Sequence, residues 1–76
     1  MHWRQMIQVT LNISAKRTME IGQELRTNGW IQGVDFDYAY HKPEYDNLSY
    51  DMIQERRAVF TFYKDSNASY FMLRYG

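Results

Sequence analysis

The sequence predicts an α+β two-layer sandwich, β-α-β-β-β, with one helix packed on a four-stranded mixed sheet. Three observations carry this. Residues 5–13 alternate apolar and polar side chains, residues 15–27 repeat at helical spacing, and aromatic-rich alternating runs fill 30–40 and 57–75. A half-apolar helix and half-apolar strands must bury those halves against each other, and two layers are the smallest arrangement that does so.

In the first run Ile7, Val9, Leu11 and Ile13 fall on one face and Gln8, Thr10 and Asn12 on the other, the period of a half-buried strand. Trp3 is in phase with the apolar face. Ser14 stands where a helix N-cap belongs. Ala15, Thr18, Met19, Gly22 and Leu25 then form an apolar stripe over Ala15 to Thr27, with Asn28-Gly29 as a stop signal. In the second strand, 30–40, Trp30, Val34, Phe36, Tyr38 and Tyr40 share one phase, with Gly33 expected at a bulge. Residues 41–55 have little periodicity and read as a long loop with a short helical turn around 49–55. Strands 57–64 and 68–75 follow, joined as a hairpin by Asp65-Ser66-Asn67. Ala58, Phe60 and Phe62 share a face of the first. The second offers either Phe71 and Leu73 or Tyr70 and Met72. The first two strands are expected to run parallel through a right-handed crossover and the last three as an antiparallel meander, leaving one sheet face uncovered.

The chain has 76 residues, which makes one domain, 1–76, with no repeats or linkers. Domains near this size bury only about 60% of the surface exposed by the unfolded chain. There is no cysteine, so neither disulfides nor a thiolate zinc site can compensate. Seven Tyr, four Phe and two Trp supply the apolar mass instead, more rings than so small an interior holds, so some must reach the surface. No apolar run reaches the roughly 18 residues of a membrane span, and residues 1–5 lack the apolar core of a signal peptide. A cytoplasmic protein with no membrane partner is expected.

Nine basic and nine acidic residues give zero net charge, but they are not evenly spread. Residues 1–34 carry a net +2, residues 35–55 a net −5 and residues 56–76 a net +3. The acidic centre also holds Tyr38, Tyr40, Tyr45 and Tyr50. Surface charge commonly serves solvation alone. An acidic, tyrosine-studded surface is also suited to a basic partner, since opposite potentials speed encounter and Tyr gives rigid contact at low entropy cost.

Catalytic and cofactor motifs are thin. Asp35-x-Asp37 puts two carboxylates on one strand face, but nothing in sequence completes a cation or acid–base site. His41-Lys-Pro-Glu44 has no metal-ligand spacing, no Gly-x-Ser-x-Gly elbow exists, and four scattered glycines form no phosphate-binding loop. No enzyme and no cofactor are expected. The C-terminal aromatics interleave with Arg56, Arg57, Lys64 and Arg74, a pattern able to stack bases and hold phosphates, with Tyr63 and Tyr70 as stacking rings.

Val34-Asp-Phe-Asp-Tyr-Ala-Tyr-His-Lys-Pro43, Ala58-Val-Phe-Thr-Phe-Tyr63 and Tyr70-Phe-Met-Leu-Arg-Tyr-Gly76 resemble short proteins of tailed bacteriophages in the C-terminal half. The resemblance assigns no residue a role. It implies a context, the infected bacterial cytoplasm, and a mode of action, occupation of a surface on a host protein such as a defence component.

The sequence therefore leads to a non-enzymatic protein-binding module, an inhibitor of a host protein with a basic surface. Asp35, Asp37, Tyr38, Tyr40, Glu44, Tyr45, Asp46, Tyr50 and Asp51 are the candidate contact residues. Single-stranded nucleic-acid binding through Arg56, Arg57, Tyr63, Tyr70 and Arg74 is the alternative. Self-association through the uncovered sheet is a third role.

Overall fold

The computed structural model describes residues 6–76 in the order β1 (Ile7–Leu11), α1 (Ala15–Thr27), β2 (Phe36–His41), β3 (Glu44–Tyr45), β4 (Met52–Gln54), β5 (Arg57–Phe62) and α2 (Asp65–Tyr75). The class is α+β, with two helices, a three-stranded sheet and a separate two-stranded one. The main sheet has the order β1-β5-β2, and both outer strands run antiparallel to β5. β1 and β2 therefore point the same way, as the crossover predicts, but β5 is inserted between them. Trp3 lies outside the described residues.

Pleat and register place the core. Val9 and Tyr38 flank Phe60, Ile7 and Phe36 flank Phe62, and Leu11 and Tyr40 flank Ala58, so one face of all three strands is apolar. Ile21 and Leu25 of α1 and Ala68 and Phe71 of α2 close over it. Phe71 lies 4.8 Å, ring to ring, from both Phe60 and Phe62.

The first helix has the predicted bounds. The Ser14 hydroxyl accepts from the Arg17 N–H at 3.1 Å, and the Thr18 hydroxyl donates to the Ser14 carbonyl at 2.8 Å. At the other end Gly29 (φ 95°) donates to Arg26 and Trp30 to Leu25, the paired bonds of a Schellman cap that only a left-handed residue closes easily. The stripe is rotated from the expected one. Thr18, Ile21, Gly22 and Leu25 are buried, at helical intervals of three and four, whereas Ala15 and Met19 are exposed.

Four other expectations are corrected. The hairpin of 57–64 with 68–75 does not form, because 65–75 is a helix. Ala68, Phe71 and Tyr75 recur at helical spacing, and Asp65 sits in the first turn, where the helix dipole favours a carboxylate. That segment satisfies a two-residue and a 3.6-residue period equally well, and burial of Phe71 decides between them. Leu73, one strand phase from Phe71, is 90% exposed. Second, the four-stranded sheet with one helix becomes three strands with two helices. Third, residues 30–35 are not strand. Asp35 Oδ2 accepts from the Ile31 N–H at 2.8 Å and the Asp35 N–H donates back to Ile31, so Gly33 (φ 89°) serves a tight turn rather than a bulge. Fourth, no helical turn spans 49–55; Met52–Gln54 is strand β4, half of the β3–β4 hairpin.

Candidate functional site

That hairpin is the most distinctive surface feature. Its two strands pack chiefly against each other and project as an arm between β2 and β5. The molecule is correspondingly long, 46 × 32 × 20 Å, with a radius of gyration of 14.5 Å where a compact chain of this length has about 11 Å.

The arm is built around Asp46. Its Oδ1 accepts from the N–H of Leu48 (2.7 Å) and of Ser49 (3.3 Å), its N–H donates to the Asp51 carbonyl and its carbonyl accepts from the Tyr50 N–H, both at 2.8 Å. An Asp side chain bonding the backbone two residues on is a standard turn former. Glu44 pairs with Gln54 and Tyr45 with Met52, leaving Ile53 as the extra residue of a bulge. At the base, the Asn12 side chain donates to Glu55 Oε2 at 2.6 Å, beside a cleft lined by Pro43, Tyr45, Met52 and Arg56.

Tyr45, Leu48, Tyr50, Met52 and Ile53 are all exposed on this arm, Leu48 at 93% and Tyr50 at 82%. Tyr50 has φ 60°, the left-handed region that L-residues other than Asn, Asp and His seldom enter. Residues 43–55 also carry four carboxylates and no basic side chain. An isolated two-stranded hairpin is at best marginal in water, and a cluster of apolar side chains rimmed by charge marks an interaction surface.

The structure divides the residues singled out from sequence. Glu44, Tyr45, Asp46, Tyr50 and Asp51 are together on the arm. Asp35 is in the turn before β2, held by Ile31. Asp37 faces the open side of the sheet, where its Oδ1 accepts from the Tyr38 N–H at 2.9 Å and from Gln32 at 3.4 Å. Tyr38 points the opposite way, stacked on Phe36 and Phe60 beneath α1, and Tyr40 shares that covered face. Leu48, Met52 and Ile53 join the arm without having been singled out. Their signal was an Asp46-Asn47 turn between apolar flanks, too short to read as strand.

The alternative set is also split. Arg56 is at the base of the arm. Arg57 and Tyr63 lie on the open sheet face, around a shallow trough of about 500 Å³ that also includes Gln8, Asp37, His41 and Thr61. Among the described residues Arg57 Nη1 is buried there without a hydrogen-bond partner. Tyr70 and Arg74 belong to α2. Tyr70 packs on Trp30 at 5.7 Å, and Arg74 Nε donates to the Tyr75 hydroxyl at 3.2 Å. That hydroxyl in turn donates to Glu24 Oε2 at 2.5 Å, and Arg17 Nη1 reaches Glu24 Oε1 at 3.4 Å. The hydrogen bond from Tyr75, helped by Arg17, holds the Glu24 carboxyl below its ordinary range, while burial and then Glu24 push the Tyr75 phenol up. Hydrogen bonding to Tyr75 likewise raises Arg74. This chain of groups ties α1 to α2.

Among the described residues no three His, Cys, Asp or Glu side chains come together to hold a metal, and no helix is long and apolar enough to cross a membrane. Comparison with family models, curated proteins and solved structures finds no match for this chain.

Proposed function

We propose that this protein is a non-enzymatic protein-binding module whose β3–β4 arm inserts into a basic, partly apolar site on its partner. The observation that carries the reading is Tyr50. A bulky residue is kept in a left-handed conformation, and its ring makes no return in packing because it is in solvent. Strain of about 1–3 kcal/mol at a surface position points to a role for the side chain beyond the fold. Leu48, Tyr45 and Met52 supply the remaining apolar contact, and Glu44, Asp46, Asp51 and Glu55 steer the approach. The bacteriophage resemblance suggests the outcome of binding: inhibition of a host protein by occupying its surface.

The test replaces residues 43–55 by a short glycine-containing turn between Lys42 and Arg56, next to the register partners His41 and Arg57. The shortened protein keeps its circular dichroism and loses the protein retained from a nuclease-treated host lysate, while Tyr50→Ala weakens retention about tenfold or more. Undiminished retention by the armless protein refutes the reading.

A second reading rests on Arg57. Its guanidinium lines the open sheet face with Nη1 unpaired among the described residues, and with Tyr63 on the same strand side it suits a single-stranded nucleic acid. Retention of nucleic acid that falls steeply with salt and is lost in Arg57→Gln would favour it.

A further inference from the structure

We infer that a second copy of this chain pairs along the free edge of β1, joining two three-stranded sheets into one of six strands.

Among the described residues β1 is hydrogen-bonded on one side only, to β5, in a register without a shift. Every second residue of such a strand turns its N–H and C=O outward. Sheets usually protect an edge like this with Lys, Pro or a bulge, and β1 has none of these. Residues 6–15 carry no charge at all. The other edge, β2, is different. The Phe36 carbonyl already accepts from the Gly33 N–H at 2.7 Å, Gln32 bridges to Phe36, and Asp37 and His41 stand along the strand.

The β1 sequence is also complementary to itself. An antiparallel pair with its two-fold axis at Val9 puts Val9 opposite Val9, Gln8 opposite Thr10 and Ile7 opposite Leu11. Apolar residues meet apolar ones beneath the sheet, and polar residues meet polar ones above it.

An independent feature lies on the same side of the molecule. α2 packs beneath β1 and β5, and α1 packs against β2. Tyr70 and Arg74 occupy the flank of α2 that meets Trp30 and the Arg17–Glu24 pair of α1. At about 100° per residue, Met72 is on the opposite flank, with Leu73 next to it on the outer side. They are 55% and 90% exposed. A dyad at the β1 edge brings two copies of this helix side by side and covers Met72, with Leu73 at the rim of the contact. Edge and helix thus indicate one isologous contact, the usual form of a two-fold dimer.

Sedimentation of the intact protein across micromolar to millimolar concentrations tests this, together with two variants, Gln8→Lys/Thr10→Lys and Gln8→Glu/Thr10→Glu. Both altered positions are exposed on the open sheet face, and circular dichroism checks that the fold is kept. The parent chain sediments as a dimer. Each variant alone opposes like charges twice across the axis and dissociates at least about tenfold more readily. An equal mixture of the two restores the dimer, because each introduced lysine then faces an introduced glutamate. Met72→Ser/Leu73→Ser weakens the dimer as well. A parent chain that stays monomeric throughout overturns the proposal, and so does a dimer indifferent to both charged variants. The armless protein dimerises equally well, which separates this contact from the arm.

Discussion

Gly22→Ala probes how closely α1 sits on the sheet. An added Cβ would come within 2.7 Å of Tyr38 Cε1, 2.8 Å of Cζ and 3.0 Å of the hydroxyl oxygen. Ordinary contact begins near 3.4 Å, so helix and ring must separate by about 0.7 Å. The ring cannot yield inward, because it is stacked between Phe36 at 6.3 Å and Phe60 at 5.6 Å. Overpacking of this kind costs about 1–3 kcal/mol. Alanine returns up to about 1 kcal/mol through helix propensity. With the full return the net expectation is a loss of up to about 2 kcal/mol, or a fall in Tm of up to roughly 16 °C at this chain length. Thermal and urea unfolding measure it, and Tyr38→Leu completes a double-mutant cycle: the alanine should become neutral or stabilising when the ring is gone. A rise in Tm for Gly22→Ala with Tyr38 in place would refute the close approach and the placement of α1 that depends on it.

Three further outcomes are expected. Tyr50→Gly removes the left-handed strain and raises stability by up to about 1 kcal/mol in urea unfolding, yet weakens partner binding; improved binding would show that the ring is not a contact. The link between helices contributes to the pH dependence of stability at both ends. Glu24 titrates lower in the folded state, so its contribution is complete above its ordinary value of 4.5 and is lost as pH falls through the depressed one; Tyr75 titrates higher, so its contribution is complete below 10.0 and is lost as pH rises above that. Tyr75→Phe should flatten the urea midpoint at both limits, and an unchanged acid limb would count against the Glu24 contact. Finally, at concentrations low enough for the chain to be monomeric, Phe71→Ala costs about 3–5 kcal/mol and Leu73→Ala almost nothing, the contrast a helix requires, measured by equilibrium unfolding.

Local chemistry made the first half of the fold legible. Ser14, the stripe ending at Leu25 and Asn28-Gly29 define α1 without tertiary information, because capping and the Schellman bonds are made within the segment. The second half depends on distant partners. Residues 68–75 fit strand and helix alike, and what selects helix is the pair Phe60 and Phe62 on another element. Acidic character and tyrosines located the arm, but Tyr38 and Asp37 show the limit: neighbours in sequence, they face opposite sides of β2. A charge count along the chain does not register that alternation.

The central place of β5 has a consequence for assembly in time. Pairs between β2 and β5 join residues as near as His41 and Arg57, whereas those between β1 and β5 run from Leu11–Ala58 to Ile7–Phe62. Neither outer strand has a neighbour until residues 57–62 have been synthesised. During translation the first fifty-odd residues hold a capped helix, the self-paired β3–β4 hairpin, and β1 and β2, the two main-sheet strands that still lack the strand that joins them. Closing the short β2–β5 loop first costs least entropy, so the β1 docking step, which closes the longest loop, is expected to limit the folding rate. Destabilising substitutions in β1 would then slow folding, and those at the arm would leave its rate unchanged.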